Sequence, residues 1–156
     1  MELDGTLVRY SNTTRLCAFV SHRSEGRVCS HSTHLRPPKS NLAVIFLPGL
    51  TDGLLALDYV LPLDKLLASM DITLIQPLLS SSYNAYGTST LSKDVGEIDD
   101  LIDWLDSSLA FENTKFILWG HSTGAQISVR LSVTMHARTS VCEWISCFDM
   151  PCPTFR

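Results

Sequence analysis

A short stretch in the second half of the chain has the residue types and the spacing of a serine nucleophile. Residues 115–119 form a mostly apolar run, and residues 120–124 read GHSTG, which matches the pattern Gly-x-Ser-x-Gly. In this pattern the serine occupies a strained strand-to-helix turn that exposes its hydroxyl at the end of a sheet. Ser122 is therefore the candidate catalytic residue, and nucleophilic acyl transfer is the chemistry that it would perform.

The neighbours of Ser122 have predicted roles as well. Gly120 and Gly124 lack Cβ atoms where the turn brings the strand and helix backbones close together. The N–H of Thr123, at the start of the helix, would face the oxyanion that forms during the reaction. An ordinary turn of glycine and serine after a strand is the alternative, but the β-forming residues before the motif favour the catalytic interpretation.

A glycine-containing loop earlier in the chain offers a second oxyanion donor. A continuous apolar run over residues 42–47 is followed by Pro48-Gly49. A glycine at this point lets the backbone turn so that the next N–H, that of Leu50 or Thr51, points into the site. A plain glycine turn that joins a strand to a helix is the alternative, and the serine motif two strands later favours the donor.

Hydrophobic patterns predict the elements that must position these residues. Continuous apolar runs are typical of parallel strands that are buried on both faces, and apolar residues spaced by three or four predict amphipathic helices. The predicted elements are strands over 6–10, 16–20, 41–47 and 72–77, a helix over 58–70, and a helix that is capped by Ser92. This alternation predicts an α/β fold with a mostly parallel sheet flanked by helices.

Composition narrows the class of protein and its partners. With 156 residues, 45% apolar and 18% charged, the chain is expected to be globular, and a net charge of -4 without a basic cluster argues against a nucleic-acid partner. No apolar run is long enough to span a membrane, so no membrane partner is expected. Five cysteines, an odd number, predict free thiols and a cytoplasmic location. The histidine and cysteine spacings match no zinc pattern, so we expect neither a metal nor a cofactor.

Four motifs in order resemble one known family. They are LPGLTDGLL at 47–55, QPLLSSSY at 76–83, YGTS at 86–89 and GHSTG at 120–124. Together they are similar to a family of α/β-hydrolases from fungi and plants, long labelled only as a domain of unknown function, which includes esterases of hydroxamate siderophores such as fusarinine C. The resemblance covers about residues 5–124.

The resemblance implies an α/β-hydrolase fold with Ser122 as the nucleophile and oxyanion donors near Leu50 and Thr123. It also implies a small-molecule ester substrate, of which a siderophore-like ester is one option, and no cofactor. The loops that carry the motifs supply candidate residues for the lining of the site, which are Thr51, Asp52, Ser81, Tyr83, Tyr86 and His121.

The resemblance ends after Gly124. Only 34 of the 156 residues follow Ser122, too few for the strands and helices that carry the catalytic acid and histidine in such enzymes. Residues 125–136 alternate between apolar and polar types, which is a strand pattern where a helix is needed. We therefore expect residues 1–124 to be the N-terminal part of an α/β-hydrolase domain, truncated after the serine motif, and residues 125–156 to be a divergent, poorly ordered tail.

The tail offers no recognisable catalytic acid or histidine. His136 precedes both acidic candidates, Glu143 and Asp149, and His121 directly adjoins the serine. Three functions therefore stay open: a serine hydrolase of carboxylic esters that is impaired in this chain, a catalytically inactive binding or interaction module of the same fold, and a non-functional fragment. Without a following strand, residues 116–119 would form an exposed sheet edge, which predicts self-association.

Overall fold

The computed structural model describes residues 3–11, 15–21, 40–84, 87–134 and 141–147. The strands are β1 Gly5–Arg9, β2 Cys17–Ser21, β3 Leu42–Leu47, β4 Thr73–Pro77, β5 Lys115–His121 and β6 Val141–Cys147. The helices are α1 Val60–Ser69, α2 Leu91–Ser107 and α3 Thr123–Thr134, with a short 3-10 turn at Leu109–Phe111. The strands form one sheet in the order β1-β2-β4-β3-β5-β6.

Strands β4, β3, β5 and β6, which are neighbours in this order, are parallel to one another. The candidate site lies on this part of the sheet. Strands β1 and β2 are antiparallel to each other, and β2 is antiparallel to β4. Helix α1 packs on one face, with Val44 and Phe46 of β3, whereas α2 and α3 pack on the other face, with Ala43 and Ile45. This two-sided burial explains the continuous apolar run of β3.

The predicted bounds of β1 to β4 and of α1 agree with the structure within about two residues, but the predicted cap of α2 is wrong. Thr90, not Ser92, is the N-cap: its backbone is extended, and its side chain accepts a hydrogen bond from the N–H of Lys93. Ser92 already lies in the first helical turn. Two hydroxyl residues within three positions give the same local signal, so the backbone conformation alone separates them.

Helix α3 contradicts the strand pattern that residues 125–136 suggest. Ile127 and Leu131 are buried, and so is Ser128, whose hydroxyl donates to the carbonyl of Gly124 over 2.9 Å. Val129 and Val133, which belong to the same alternating series, are 50% and 71% exposed. The buried side chains follow the helical spacing of three to four residues. The alternation arises only because two further apolar residues, Val129 and Val133, lie on the exposed side of the helix.

Strand β6 contradicts the predicted exposed edge at residues 116–119. It pairs in parallel with β5, so β5 lies between β3 and β6, and the outer strands of the described sheet are β1 and β6. The segment 141–147 contains Val, Trp and Ile, which favour strands. The prediction of an exposed edge considered only the number of residues after Ser122 and did not use this preference. Self-association and the boundary at residue 124 remain predictions.

The junction between β5 and α3 is the tightest backbone contact that bears on the site. Ser122, between the strand and the helix, has a φ of 52°, a conformation that is uncommon for residues other than glycine. A Cβ on Gly120 would lie 2.5 Å from the Gly124 carbonyl, and a Cβ on Gly124 would lie 2.1 Å from the carbonyl oxygen of Leu47 in β3. The turn is therefore pressed against the end of the neighbouring strand.

Two alanine substitutions test the buried face of α3. Ile127→Ala should lower the free energy of unfolding by about 2–5 kcal/mol because it opens a cavity under the helix. Val129→Ala should change it by no more than about 0.5 kcal/mol because that side chain is half exposed. Urea denaturation followed by circular dichroism measures both, and equal losses would instead place the two side chains on one face of a strand.

A pair of glycine substitutions tests the packing of the β5–α3 junction. Gly124→Ala should destabilise the fold by about 1–3 kcal/mol or more, because the new Cβ must push α3 away from Leu47. Gly96→Ala in α2 is the matched control: no atom lies within 4 Å of its Cβ position, so it should stabilise the fold by roughly 0.5–1 kcal/mol. If Gly124→Ala were as stable as Gly96→Ala, the described junction would be incorrect.

Candidate active site

The candidate site lies at the carboxyl ends of the parallel strands. Leu47, the last residue of β3, is paired with Gly120 near the end of β5, so the loop after β3 begins beside the turn that holds Ser122. A Cβ on Gly49 would lie 3.6 Å from the Cδ2 atom of His121. In open α/β sheets this edge is where ligands bind.

Ser122 is exposed at this edge. Its carbonyl accepts a hydrogen bond of 3.0 Å from the N–H of Ala125, which closes the first turn of α3. Because the first N–H groups of a helix have no partner within the helix, that of Thr123 is an available donor beside the serine. The helix dipole favours negative charge at the same place.

The loop after β3 is folded onto itself by a reciprocal pair of hydrogen bonds. The N–H of Gly49 donates to the Oδ2 atom of Asp52, and the N–H of Asp52 donates to the carbonyl of Gly49, both over 3.2 Å. Thr51, between them, has a φ of 65°. Asp52 is predicted to line the site, but one of its carboxylate oxygens instead accepts a hydrogen bond that holds the loop.

Gln76 of β4 and Tyr83, which follows β4, hold the far end of the same loop. The N–H of Tyr83 donates to the carbonyl of Thr51 over 2.8 Å, and the hydroxyl of Tyr83 accepts from the N–H of Leu54 over 2.9 Å. The N–H of Leu55 donates to the side-chain oxygen of Gln76 over 3.2 Å. The loop is therefore held by hydrogen bonds at both ends.

Three N–H groups of this loop have no hydrogen-bond partner among the described residues. The N–H groups that donate within the protein are those of Gly49, Asp52, Leu54 and Leu55. The N–H groups of Leu50, Thr51 and Gly53 make no hydrogen bond with any residue in the described ranges. Leu50 itself is 42% exposed, so this part of the loop is open to solvent.

Buried carboxylates of α2 anchor the loop that carries Tyr83. The N–H of Ser80 donates to Glu97 over 2.8 Å, and the hydroxyl of Ser89 donates to Asp94 over 3.1 Å. Burial raises the pKa of Asp94 above its ordinary value, hydrogen bonds from Ser89 and Ser81 oppose that rise, and the charge of Glu97 adds to it. Ser81, a predicted lining residue, is buried and bonded to Asp94, so its hydroxyl holds the loop.

His121 packs against aromatic side chains. Its ring centroid lies 5.8 Å from that of Tyr59, which in turn makes an edge contact with Phe46 at 5.9 Å. His121 is the one histidine in the described ranges, and neither its ring nor the hydroxyl of Ser122 forms a hydrogen bond with a residue described there. Tyr86 and His136 lie outside the described residues.

Sequence reasoning missed the polar residues that brace the loops. Gln76 is 2% exposed and interrupts an otherwise apolar strand, which is the signal that could have identified it. No sequence pattern indicated that Asp94 and Glu97 of α2 would bind the loop before that helix. Gln76 and Glu97 bind residues that are 21 and 17 positions away, a separation over which local sequence patterns carry no information.

Two features that would indicate a membrane or a metal are absent from the described ranges. None of their helices has the length and apolar composition needed to cross a membrane. Within the same residues, no three His, Cys, Asp or Glu side chains are grouped closely enough to hold a metal ion.

Comparison with known proteins gives two esterases as relatives. Esterase AN6793 of Emericella nidulans is 31% identical over 127 residues, which are 78% of this chain and 30% of that protein. Fusarinine C esterase sidJ of Aspergillus fumigatus is 31% identical over 101 residues, which are 61% of this chain and 28% of that protein.

A solved structure and a protein family match over longer stretches. Siderophore hydrolase EstB from Aspergillus fumigatus superposes with a TM-score of 0.68 at 26% identity, covering 93% of this chain and 42% of that one. The chain thus spans less than half the length of each of these three proteins. Residues 4–143 match the family described as a protein of unknown function, DUF1749. The resemblance and the fold class that the sequence predicted are confirmed: the chain belongs to the DUF1749 family and has the α/β-hydrolase fold.

Proposed function

We propose that this chain carries the nucleophile and the oxyanion hole of a serine esterase. The observation that carries the proposal is the φ of 52° at Ser122, on an exposed turn between β5 and α3. A nucleophile elbow holds its serine in this strained way so that the hydroxyl stands clear of the sheet. The esterases among its relatives support the same class of reaction.

The reaction would proceed by acyl transfer. The Oγ atom of Ser122 attacks the ester carbonyl carbon and loses its proton to a base, and the carbonyl oxygen becomes an oxyanion. The N–H of Thr123 and that of Leu50 or Thr51 would donate to this oxyanion. Collapse of the intermediate breaks the bond to the alcohol, which takes up the proton. Water then attacks the acyl-serine and releases the acid, regenerating the hydroxyl of Ser122.

The proposed reaction requires a general base. In this fold the acid and the histidine follow the serine in the chain. His121 is packed against Tyr59, and Ser122 has no hydrogen-bonded base among the described residues. We propose that the nucleophile of this chain is impaired unless His121, His136 or another chain supplies the base. Oxyanion stabilisation and binding alone leave on the order of 10³–10⁴-fold catalysis over water in enzymes of this type.

The proposed substrate is a small-molecule ester. Two similar proteins are named for siderophores, one as a siderophore hydrolase and the other as a fusarinine C esterase. We therefore propose siderophore esters as the first substrates to assay with the present chain.

A binding module is the second candidate function. It is favoured by the aromatic packing of His121, which engages the one described histidine beside the serine. Such a module would keep the same loops and bind an ester without cleaving it. Its distinguishing property would be ligand binding that survives Ser122→Ala.

Covalent labelling with a fluorophosphonate probe tests the esterase proposal. We expect the folded protein to be labelled at Ser122, more slowly than a serine hydrolase with a complete triad, because the oxyanion donors stabilise the phosphonyl adduct even where the nucleophile is weak. Peptide mass spectrometry identifies the labelled site. Ser122→Ala should abolish labelling, whereas Ser107→Ala, a control at an exposed serine at the end of α2, should leave it unchanged. A folded sample that takes no label would contradict the esterase proposal and leave the binding module.

A further inference from the structure

We propose that Tyr83 is a positioning residue that fixes the loop of residues 49–55 so that its free N–H groups face the oxyanion. The inference rests on the proposed esterase function and assigns a role to a residue outside the serine motif. Three separate contacts between Tyr83 and this loop carry it.

The loop needs outside support because its backbone is strained. Thr51 and Leu55 have φ angles of 65° and 58°, and each such conformation in a residue other than glycine costs on the order of 1–3 kcal/mol. The reciprocal bonds between Gly49 and Asp52 hold only the first turn. Without further bonds, the rest of the loop could relax and turn its N–H groups away.

Tyr83 holds two peptide groups of the loop. Its N–H donates to the carbonyl of Thr51, while the N–H on the other side of that same peptide, from Asp52, donates to Gly49. Its hydroxyl accepts from the N–H of Leu54. The carbonyl and the N–H of a planar trans peptide point in opposite directions. The bond that fixes the carbonyl of Gly49 therefore also fixes the direction of the Leu50 N–H.

The ring of Tyr83 makes the third contact, over Gly53. A Cβ on Gly53 would lie 1.8 Å from the Cζ atom and 2.1 Å from the hydroxyl oxygen of Tyr83, so glycine is required beneath the ring. Tyr83 is itself at a φ of 60° and is 70% exposed. Its position is therefore set by backbone bonds and by the loop that it covers, not by burial in the core.

The loop that bears Tyr83 is in turn fixed to helix α2. The N–H of Leu79 donates to the hydroxyl of Ser82, and the N–H of Ser80 donates to the buried carboxylate of Glu97. The short segment from Ser80 to Tyr83 is thus bonded to α2 at one end and to the peptides after Leu50 at the other. This arrangement gives the exposed tyrosine a rigid base from which to hold the loop.

Removal of the hydroxyl tests the proposal with two independent readouts. In Tyr83→Phe the amide of Leu54 loses its acceptor, so hydrogen–deuterium exchange in the peptide that contains Leu54 should become faster. Fluorophosphonate labelling should show a rate constant for the covalent step that is about 10-fold lower with an unchanged KI. This loss is smaller than the 10²–10³-fold that follows removal of a direct oxyanion donor.

Tyr10→Phe is the matched control. The hydroxyl of Tyr10 is buried and makes no hydrogen bond with a residue in the described ranges, and Tyr10 follows β1 at the far side of the sheet. This variant should label at the wild-type rate. Faster exchange with unchanged labelling would refute the positioning role of Tyr83, and unchanged exchange would refute the contact itself.

A double-mutant cycle covers the ring contact. Gly53→Ala should displace the ring and slow the covalent step in the wild-type background, but it should have little further effect in Tyr83→Ala, where no ring is present. Additive effects would contradict the proposal. A folded wild-type protein that takes no label would refute the esterase proposal, and the role of Tyr83 with it, while the exchange data would still report separately whether the hydroxyl bond exists.

Discussion

The backbone contact between Gly124 and the end of β3 is the constraint on which the rest of the site depends. The carbonyl oxygen of Leu47 occupies the place that a side chain at Gly124 would need, so α3 can begin only if that side chain is absent. The close approach forces the chain to turn sharply after β5, and Ser122 takes the strained conformation at the turn. The same approach brings the loop after β3 beside the serine.

Apolar packing stabilises the sheet, whereas hydrogen bonds stabilise the loops at its edge. The strands of the parallel part are held between α1 on one face and α2 and α3 on the other. The loops at their carboxyl ends cannot be buried in this way, and they are held by polar contacts to Gln76, Tyr83, Asp94 and Glu97. The raised pKa of Asp94 records the cost of burying a carboxylate for this purpose. The N–H groups that have no partner among the described residues are the ones available to an oxyanion.

The sequence was informative where the signal is local. Strands β3 and β4 follow from continuous apolar runs, and the serine motif follows from its glycines. The sequence was misleading where a helix and a strand can show the same pattern. Val129 and Val133 extend an alternation that is typical of a strand, yet they lie on the exposed side of α3. The roles of Tyr83 and Gln76 were not predictable in the same way, because their partners lie 29 and 21 residues away in sequence and the bonds exist only in the folded loop.

The central claim is that the turn at Ser122 and the loop after β3 together form a site for an oxyanion. A crystal structure of the protein after reaction with a phosphonate probe tests it most directly. The account predicts that the phosphonyl oxygen lies about 2.7–3.1 Å from the backbone nitrogen of Thr123 and from that of Leu50 or Thr51, with Ser122 still at a positive φ. An adduct whose oxygen points into solvent, or a Ser122 in an ordinary helical conformation, would contradict it.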